Sequence, residues 1–339
     1  MNTLILATFI FSVVLSWFLT SRVRQYALAK NLLDFPNVRS SHSVPTPRGG
    51  GIAIVIVLLL SGVVSLFLPN APIHNLLCLL LATLAFGVLG WQDDKHDLSA
   101  SVRFLVQILI AALSSVWLLW NLPGWSLSFV GIVILLLTVL WIVWMANLYN
   151  FMDGIDGISA VESIILGVTT SYWFAMSGSI SIAIICIAVA GAAMGFLRWN
   201  WSPAKIFMGD VGSLALGAFF AILAIIGSTS LDIPFVAFLI LYAVYLADSG
   251  VTLLHRMIKR EKWWQAHRSH FYQRAVQSGF SHSQVSLAVM VINVIFSVLA
   301  SLLVLGVLDA ISAIVVTMAI LTLLMFLINS RFNRFKSKE

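Results

Sequence analysis

Eleven apolar runs constrain this chain more than any other feature of its sequence. They lie near residues 3–20, 51–68, 73–90, 103–120, 127–146, 158–176, 180–197, 213–230, 234–254, 285–306 and 309–328. A helix that crosses a bilayer needs about 20 mostly apolar residues, because no water is available there to satisfy its backbone groups. Composition agrees: 60% of the 339 residues are hydrophobic and 9% are charged, against about 25% charged in soluble domains. The alternating pattern of a membrane β-barrel is absent. The expectation is an all-α, polytopic integral membrane protein with about eleven transmembrane helices, forming one domain over residues 1–339. No soluble domain fits between the runs. The longest polar gap, 255–283, has room for a short amphipathic or docking helix.

Sidedness follows from the basic residues, which favour the cytoplasmic side of a membrane. If the first run enters with its N-terminus outside, the loops after runs 1, 3, 5, 7 and 9 share one side with the C-terminus. All 19 Lys and Arg residues fall on that side. The cytoplasmic loops are then 21–50, 91–102, 147–157, 198–212 and 255–283, and the net charge of +6 lies where phosphates and anionic lipids would meet it. The first run has no cleavage signature after it and is expected to be a retained span. Most acids follow the same partition. Asp232 and Asp309 fall in outer loops, and Glu162 and Asp248 lie inside runs near their cytoplasmic ends. Cys78 and Cys186 sit in apolar runs, so neither a disulfide nor a cysteine metal site is expected. Any chemistry should be cytoplasmic.

The loops on that side are unusual in kind. The stretch "NLYNFMDGIDG", 147–157, ends an apolar run in amides, carboxylates and glycines. Asn147, Asn150, Asp153 and Asp156 recur every third residue and would form one polar stripe on a helix end. A cap explains one Asp and one Gly of this stretch. At a helix centre each Asp would cost about 2.5–3.5 kcal/mol on insertion scales, so the stripe belongs to a wet cavity or the interface. "GWQDDKHDLSA", 90–100, carries adjacent Asp93 and Asp94. Neighbouring carboxylates repel, which favours a cation or a shared proton, although a solvated acidic turn has the same sequence. Ser99, Arg103 and Gln107, four apart, share a helix face. In "DFPNVRSSHSVPTPRGGG", 34–51, proline and glycine prevent regular helix and free backbone amides near Arg48 for an anion, or simply bend the chain back into the membrane. Asp210, between Gly209 and Gly212, opens a run whose N-terminus attracts anions, or caps it. His267, His270 and Arg274 would share one helix face suited to a diphosphate, or lie on anionic lipid.

Taken together, "HSVPTPRGG", "GWQDDKHDLSA", "NLYNFMDGIDG" and "PAKIFMGDVGSLALG" resemble, in order, the polyprenyl-phosphate N-acetylhexosamine-1-phosphate transferase family, glycosyltransferase family 4. "AHRSHFYQR" looks most like the branch that initiates O-antigen and related surface polysaccharides. It lacks the near-consecutive histidines of the peptidoglycan-lipid branch. The resemblance implies transfer of a sugar-1-phosphate from a UDP-sugar to undecaprenyl phosphate, with release of UMP, in the bacterial inner membrane. It implies Mg²⁺, with Mn²⁺ as an alternative, held by Asp94 and Asp210. Asp93, Asp94 and Asp210 would be catalytic. Arg48, Asn147, Asn150, Asp153, Asp156, His267, His270 and Arg274 would bind substrate. The partners are the UDP-sugar, the lipid phosphate and the bilayer; nucleic acid is not expected. A phospho-MurNAc-pentapeptide transferase, a membrane transporter and a scaffold are the rival readings.

Overall fold

A computed structural model describes residues 2–36, 44–120, 122, 124–261 and 267–337. The segments 37–43 and 262–266, within the first and fifth expected loops, lie outside the described residues. Among the described residues the chain is helical apart from one two-stranded ribbon. In chain order, α1 spans Asn2–Ala29, and β1 (Leu33–Asp34) pairs antiparallel with β2 (Thr46–Pro47). Then follow α2 (Gly51–Ser65), α3 (Ile73–His96), α4 (Ala100–Trp120), α5 (Phe129–Met152), α6 (Ile158–Met176), α7 (Ile180–Asn200) and α8 (Asp210–Ser230). The chain ends with α9 (Phe235–Leu241), α10 (Ala243–Ile258), α11 (Phe271–Gln277), α12 (His282–Val304) and α13 (Ala310–Lys336).

Nine of these helices are long and apolar enough to cross a membrane, and the α9–α10 pair, bent by 76°, makes a tenth candidate. The remaining apolar run corresponds to α2, whose 15 residues rise about 22 Å, short of a hydrocarbon core of about 30 Å. The expected architecture is thus present as a polytopic helical bundle. Several helices reach further than their apolar runs. α1 continues to Ala29, α3 carries Asp93 and Asp94, and α5 carries Asn147 and Asn150, so parts of the expected loops 21–50, 91–102 and 147–157 are helix. Polar side chains do not end a helix whose backbone bonds continue and whose last turn leaves the hydrocarbon region.

The bundle is organised around α8, 94% of whose apolar window is buried, whereas α1 and α13 are 17% buried. α3, α5 and α2 pack on α8, and α1, α6 and α2 pack on α7. Small residues permit this closeness. A Cβ on Gly90 of α3 would collide with the backbone of Asp210, and one on Gly51 would collide with Gly212. The bundle has two unlike ends. One gathers every candidate residue described below. The other carries a cavity of about 500 Å³ lined by His74, Asn75, Thr229, Ser230 and apolar neighbours.

Candidate active site

The site is built on the first turn of α8. Phe207 N–H donates to Pro47 O, and Gly50 and Gly51 donate to Phe207 O and Met208 O. The segment after β2 is thereby laced to the segment before α8, which carries Arg48 toward Asp210. Gly90 lets α3 press against that turn, and Asp94, one helical turn further along, reaches its free amides. Asp94 Oδ1 accepts from Asp210 N at 3.1 Å, and Oδ2 accepts from Val211 N at 3.2 Å. Gly209, at φ +76°, makes room for this approach: a Cβ there would sit 2.6 Å from Asp94 Oδ2. Asp94 therefore caps α8 across 116 residues of sequence. The unsatisfied N–H groups and dipole of a helix start stabilise a carboxylate there.

Arg48 donates to the backbone oxygen of Asp94. Its guanidinium also lies 4.0 Å from Asp94 Oδ1 and 3.5 Å from Asp97 Oδ1. Asp93 takes a different partner set. Its Oδ1 accepts from Leu98 N at 2.9 Å and its Oδ2 from Arg103 Nη1 at 2.6 Å. Arg103 Nη1 is also 3.7 Å from Asp210 Oδ2, and the Asp93 and Asp210 carboxyls lie within hydrogen-bonding reach of each other. Asn150 donates to Asp210 Oδ1 at 2.7 Å and to Ser213 Oγ at 3.0 Å. Asn147 donates to Gln107 Oε1 at 2.6 Å, tying α5 to α4. Two carboxyls facing one another beside a single guanidinium is the arrangement that a proton or a hard cation resolves.

The turn between α5 and α6 carries the next two aspartates. Burial pushes the Asp153 carboxyl up to about 8 despite its bond to the Ser159 hydroxyl; the negative charges of Asp94 and Asp156 add to the rise. Asp156 goes the other way. Burial raises it, but the His282 hydrogen bond and charge, the Ala204 amide and the Ser202 hydroxyl together outweigh this and hold it below the usual carboxylate range. His282 Nδ1 lies 3.4 Å from Asp156 Oδ2. Ser286 Oγ donates to Asp156 O at 2.8 Å. Gly157 N donates to Asn200 Oδ1 at 2.9 Å.

The histidine segment differs from the expectation of one helix face. α11 begins at Phe271, so His267 precedes it and His270 is its N-cap. Asp248 organises this region. It accepts from Phe271 N and Tyr272 N, both at 2.9 Å, and its Oδ1 lies 3.0 Å from His270 Nδ1. Three donors on one carboxylate fix the start of α11 and the His270 ring. His267 stacks on that ring with centroids 4.9 Å apart. Burial and the neighbouring His270 and Arg256 charges lower His267 to about 4. Arg274 turns away toward α13: it donates to Asn329 Oδ1 at 2.6 Å and to Ser269 O at 2.9 Å, and packs on Phe271 and Phe332.

Of the residues singled out in the sequence, Arg48, Asp93, Asp94, Asn150 and Asp210 meet directly, with Asn147 one layer behind. Asp153 is within electrostatic reach of Asp94. Asp156 faces His282, and the Arg274 guanidinium does not join the cluster. Arg103, Gln107, Asp248 and His282 were not singled out as site residues. The spacing of Arg103 four after Ser99 and four before Gln107 was the available signal for two of them; the other two are identified by distant partners.

Among the described residues, no three or more His, Cys, Asp or Glu side chains form a metal cage. Mg²⁺ commonly binds through one or two carboxylates plus substrate phosphates. The resemblance implies Asp94 and Asp210 as the pair; here Asp93 and Asp210 are the all-oxygen donors that face each other and fit that chemistry, whereas both Asp94 oxygens accept from the α8 amides.

The residues 76–228 match the glycosyl transferase family 4 model. A probable undecaprenyl-phosphate N-acetylglucosaminyl 1-phosphate transferase of Bacillus subtilis is 31% identical over 313 residues, 88% of this chain and 85% of the relative. Phospho-N-acetylmuramoyl-pentapeptide-transferases of Staphylococcus saprophyticus and Staphylococcus epidermidis are 33% and 32% identical, each match covering 57% of this chain and 66% of the relative. The chain therefore belongs to glycosyl transferase family 4, the polyprenyl-phosphate sugar-phosphate transferases that its motifs resemble.

Proposed function

We propose that this protein transfers an N-acetylhexosamine-type sugar-1-phosphate from a UDP-sugar to undecaprenyl phosphate, releasing UMP and initiating O-antigen or a related surface polysaccharide. The observation that carries this reading is the convergence of Arg48, Asp93, Asp94, Arg103, Asn150 and Asp210 on the first turn of α8. An oxygen of the lipid phosphate attacks the sugar-bearing phosphorus of the donor. The bond from that phosphorus to the bridging oxygen breaks, and UMP leaves with the electron pair. One pyrophosphate linkage replaces another, so the demand is charge neutralisation and alignment of two anions. A phosphate monoester has a second pKa near ~6, so the lipid phosphate needs no general base at neutral pH.

The residues divide the task. Arg48 and Arg103 supply positive charge beside the carboxylates. Asp93 and Asp210 would hold Mg²⁺, or Mn²⁺, which when bound neutralises phosphate charge and orients the diphosphate. Asp94, pinned to the α8 amides and to Arg48, fixes the frame on which Asp210 sits. Asn150 and Asp153 offer amide and carboxyl groups suited to a nucleotide, with Asn147 tied to α4 behind them and Asp156 held by His282. The concentration of Lys and Arg supports a cytoplasmic site in a bacterial inner membrane.

The test is UMP release by purified protein in detergent, with undecaprenyl phosphate, a panel of UDP-sugars, and Mg²⁺, Mn²⁺ or chelator. Release with one UDP-N-acetylhexosamine, abolished by chelator, is expected. A transporter releases no UMP with any donor, and that outcome sinks the proposal. The Staphylococcus relatives favour a second reading, transfer of phospho-MurNAc-pentapeptide. Its UDP-linked donor belongs in the same panel, and turnover confined to that donor would replace the first reading.

A further inference from the structure

Glu162 of α6 and Asn293 of α12 meet in the bundle interior, 131 residues apart in sequence, and both are 0% exposed. Asn293 Nδ2 donates to Glu162 Oε2. The remaining polar atom of each side chain, Glu162 Oε1 and Asn293 Oδ1, is buried with no hydrogen-bond partner. No ion pair among the described residues involves Glu162. The titratable groups in electrostatic reach of it are the phenols of Tyr149, Tyr242 and Tyr245. Each phenol has its own partner: Ser163 Oγ, Phe220 O and Ser159 Oγ respectively.

Two orphan acceptors on one hydrogen-bonded pair of side chains are a specific chemical signature. If Glu162 were ionised, an unpaired charge would sit in an apolar interior and Asn293 Oδ1 would stay unsatisfied, two costs that native proteins avoid. One proton on Glu162 Oε1 removes both. The acid O–H then donates to Asn293 Oδ1 while Asn293 N–H donates to Glu162 Oε2, closing a two-bond acid–amide ring.

Its location gives the ring a use. Along α12, His282, Ser286 and Asn293 lie on one face at spacings of four and seven. His282 and Ser286 hold Asp156, and Asn293 anchors the same helix to α6, which starts directly after the Asp153–Asp156 turn. Ser159 and Ser163 of α6 bind Tyr245 of α10 and Tyr149 of α5. We propose that Glu162 is kept as a neutral carboxylic acid, ring-bonded to Asn293, and that this clasp positions α12 against α6 so that His282 and Ser286 fix the Asp153–Asp156 turn. Glu162 is thus a positioning residue, and the claim stands whether or not the transferase reading does.

The experiment reads the acid directly. Infrared difference spectra of wild type against Glu162→Gln, in H₂O and D₂O at neutral pH, should show the C=O stretch of a protonated carboxyl that shifts on deuteration. A carboxylate signal in its place, as a bridging water beside an ionised Glu162 would give, overturns the proposal. Hydrogen exchange then tests the clasp. Glu162→Gln preserves two ring bonds as an amide–amide pair and should leave exchange at residues 153–158 within about twofold of wild type. Asn293→Leu should raise it about tenfold or more, the equivalent of one lost buried hydrogen bond. Equal disturbance by both variants, or by neither, defeats the positioning role. If Asn293→Leu fails to fold, the infrared result decides alone.

Discussion

Two acidic regions at the same end of the bundle use similar residues for different ends. At the start of α8, Asp93 and Asp210 face each other beside one shared guanidinium. At the start of α11, Asp248 takes two backbone amides and the His270 ring, and Arg274 is occupied by Asn329, Ser269 and two aromatic rings. The first region has two carboxyls sharing one cation. The second has spent its hydrogen-bonding capacity on holding the fold. Residue type does not tell these carboxylates apart; the balance of donors and acceptors around each does.

The comparison breaks first at Asp210. Asp210→Asn keeps the shape and the Asn150 contact but removes a charge facing Asp93, and should lower kcat for UMP release by about 100- to 1,000-fold, the usual scale for losing one preorganised electrostatic group. A loss below tenfold would move the reaction elsewhere. Arg103→Ala leaves Asp93 and Asp210 without their common cation and should cost about 10- to 100-fold, as charged hydrogen bonds do. Arg274→Ala should do the reverse, costing about 1 kcal/mol of stability in detergent unfolding with kcat within about threefold. A collapse of kcat at unchanged stability would make the α11 region catalytic after all.

pH sharpens the contrast further. An unfolded Asp titrates near 3.8, and folded Asp153 at about 8. Between these values the folded chain keeps a proton that the unfolded chain has lost. Its contribution to stability is complete below pH 3.8, declines as pH rises through the window, and is exhausted above about 8. Asp153→Asn should flatten the fall in melting temperature across that window, and parallel curves for the two proteins would refute this. The smallest effect belongs to His267. Already neutral at pH 7 because it titrates at about 4, it has no charge to offer a phosphate, and Gln in its place should change activity by less than about twofold.

The apolar runs and the four polar motifs were legible because each is a local property of the chain. Helix formation in a membrane follows from run length, and a motif is read residue by residue. Boundaries were less legible. Asp93, Asn147 and Asn150 look like loop residues by polarity, yet they continue helices whose last turns leave the apolar layer. The histidine segment reads as one helix face by periodicity, which cannot show that Asp248 caps α11 only from Phe271 onward.

The chain's own order of residues decided that it is a helical membrane protein and which segments carry polar chemistry, since the exclusion of water from lipid acts on each run separately. Which carboxylate caps a helix, which faces another, and which is clasped by an amide was decided by packing. Asp94 reaches its amides across 116 residues because Gly90 lets α3 press on α8. Such pairings depend on which helices touch, and no local pattern of residues encodes that.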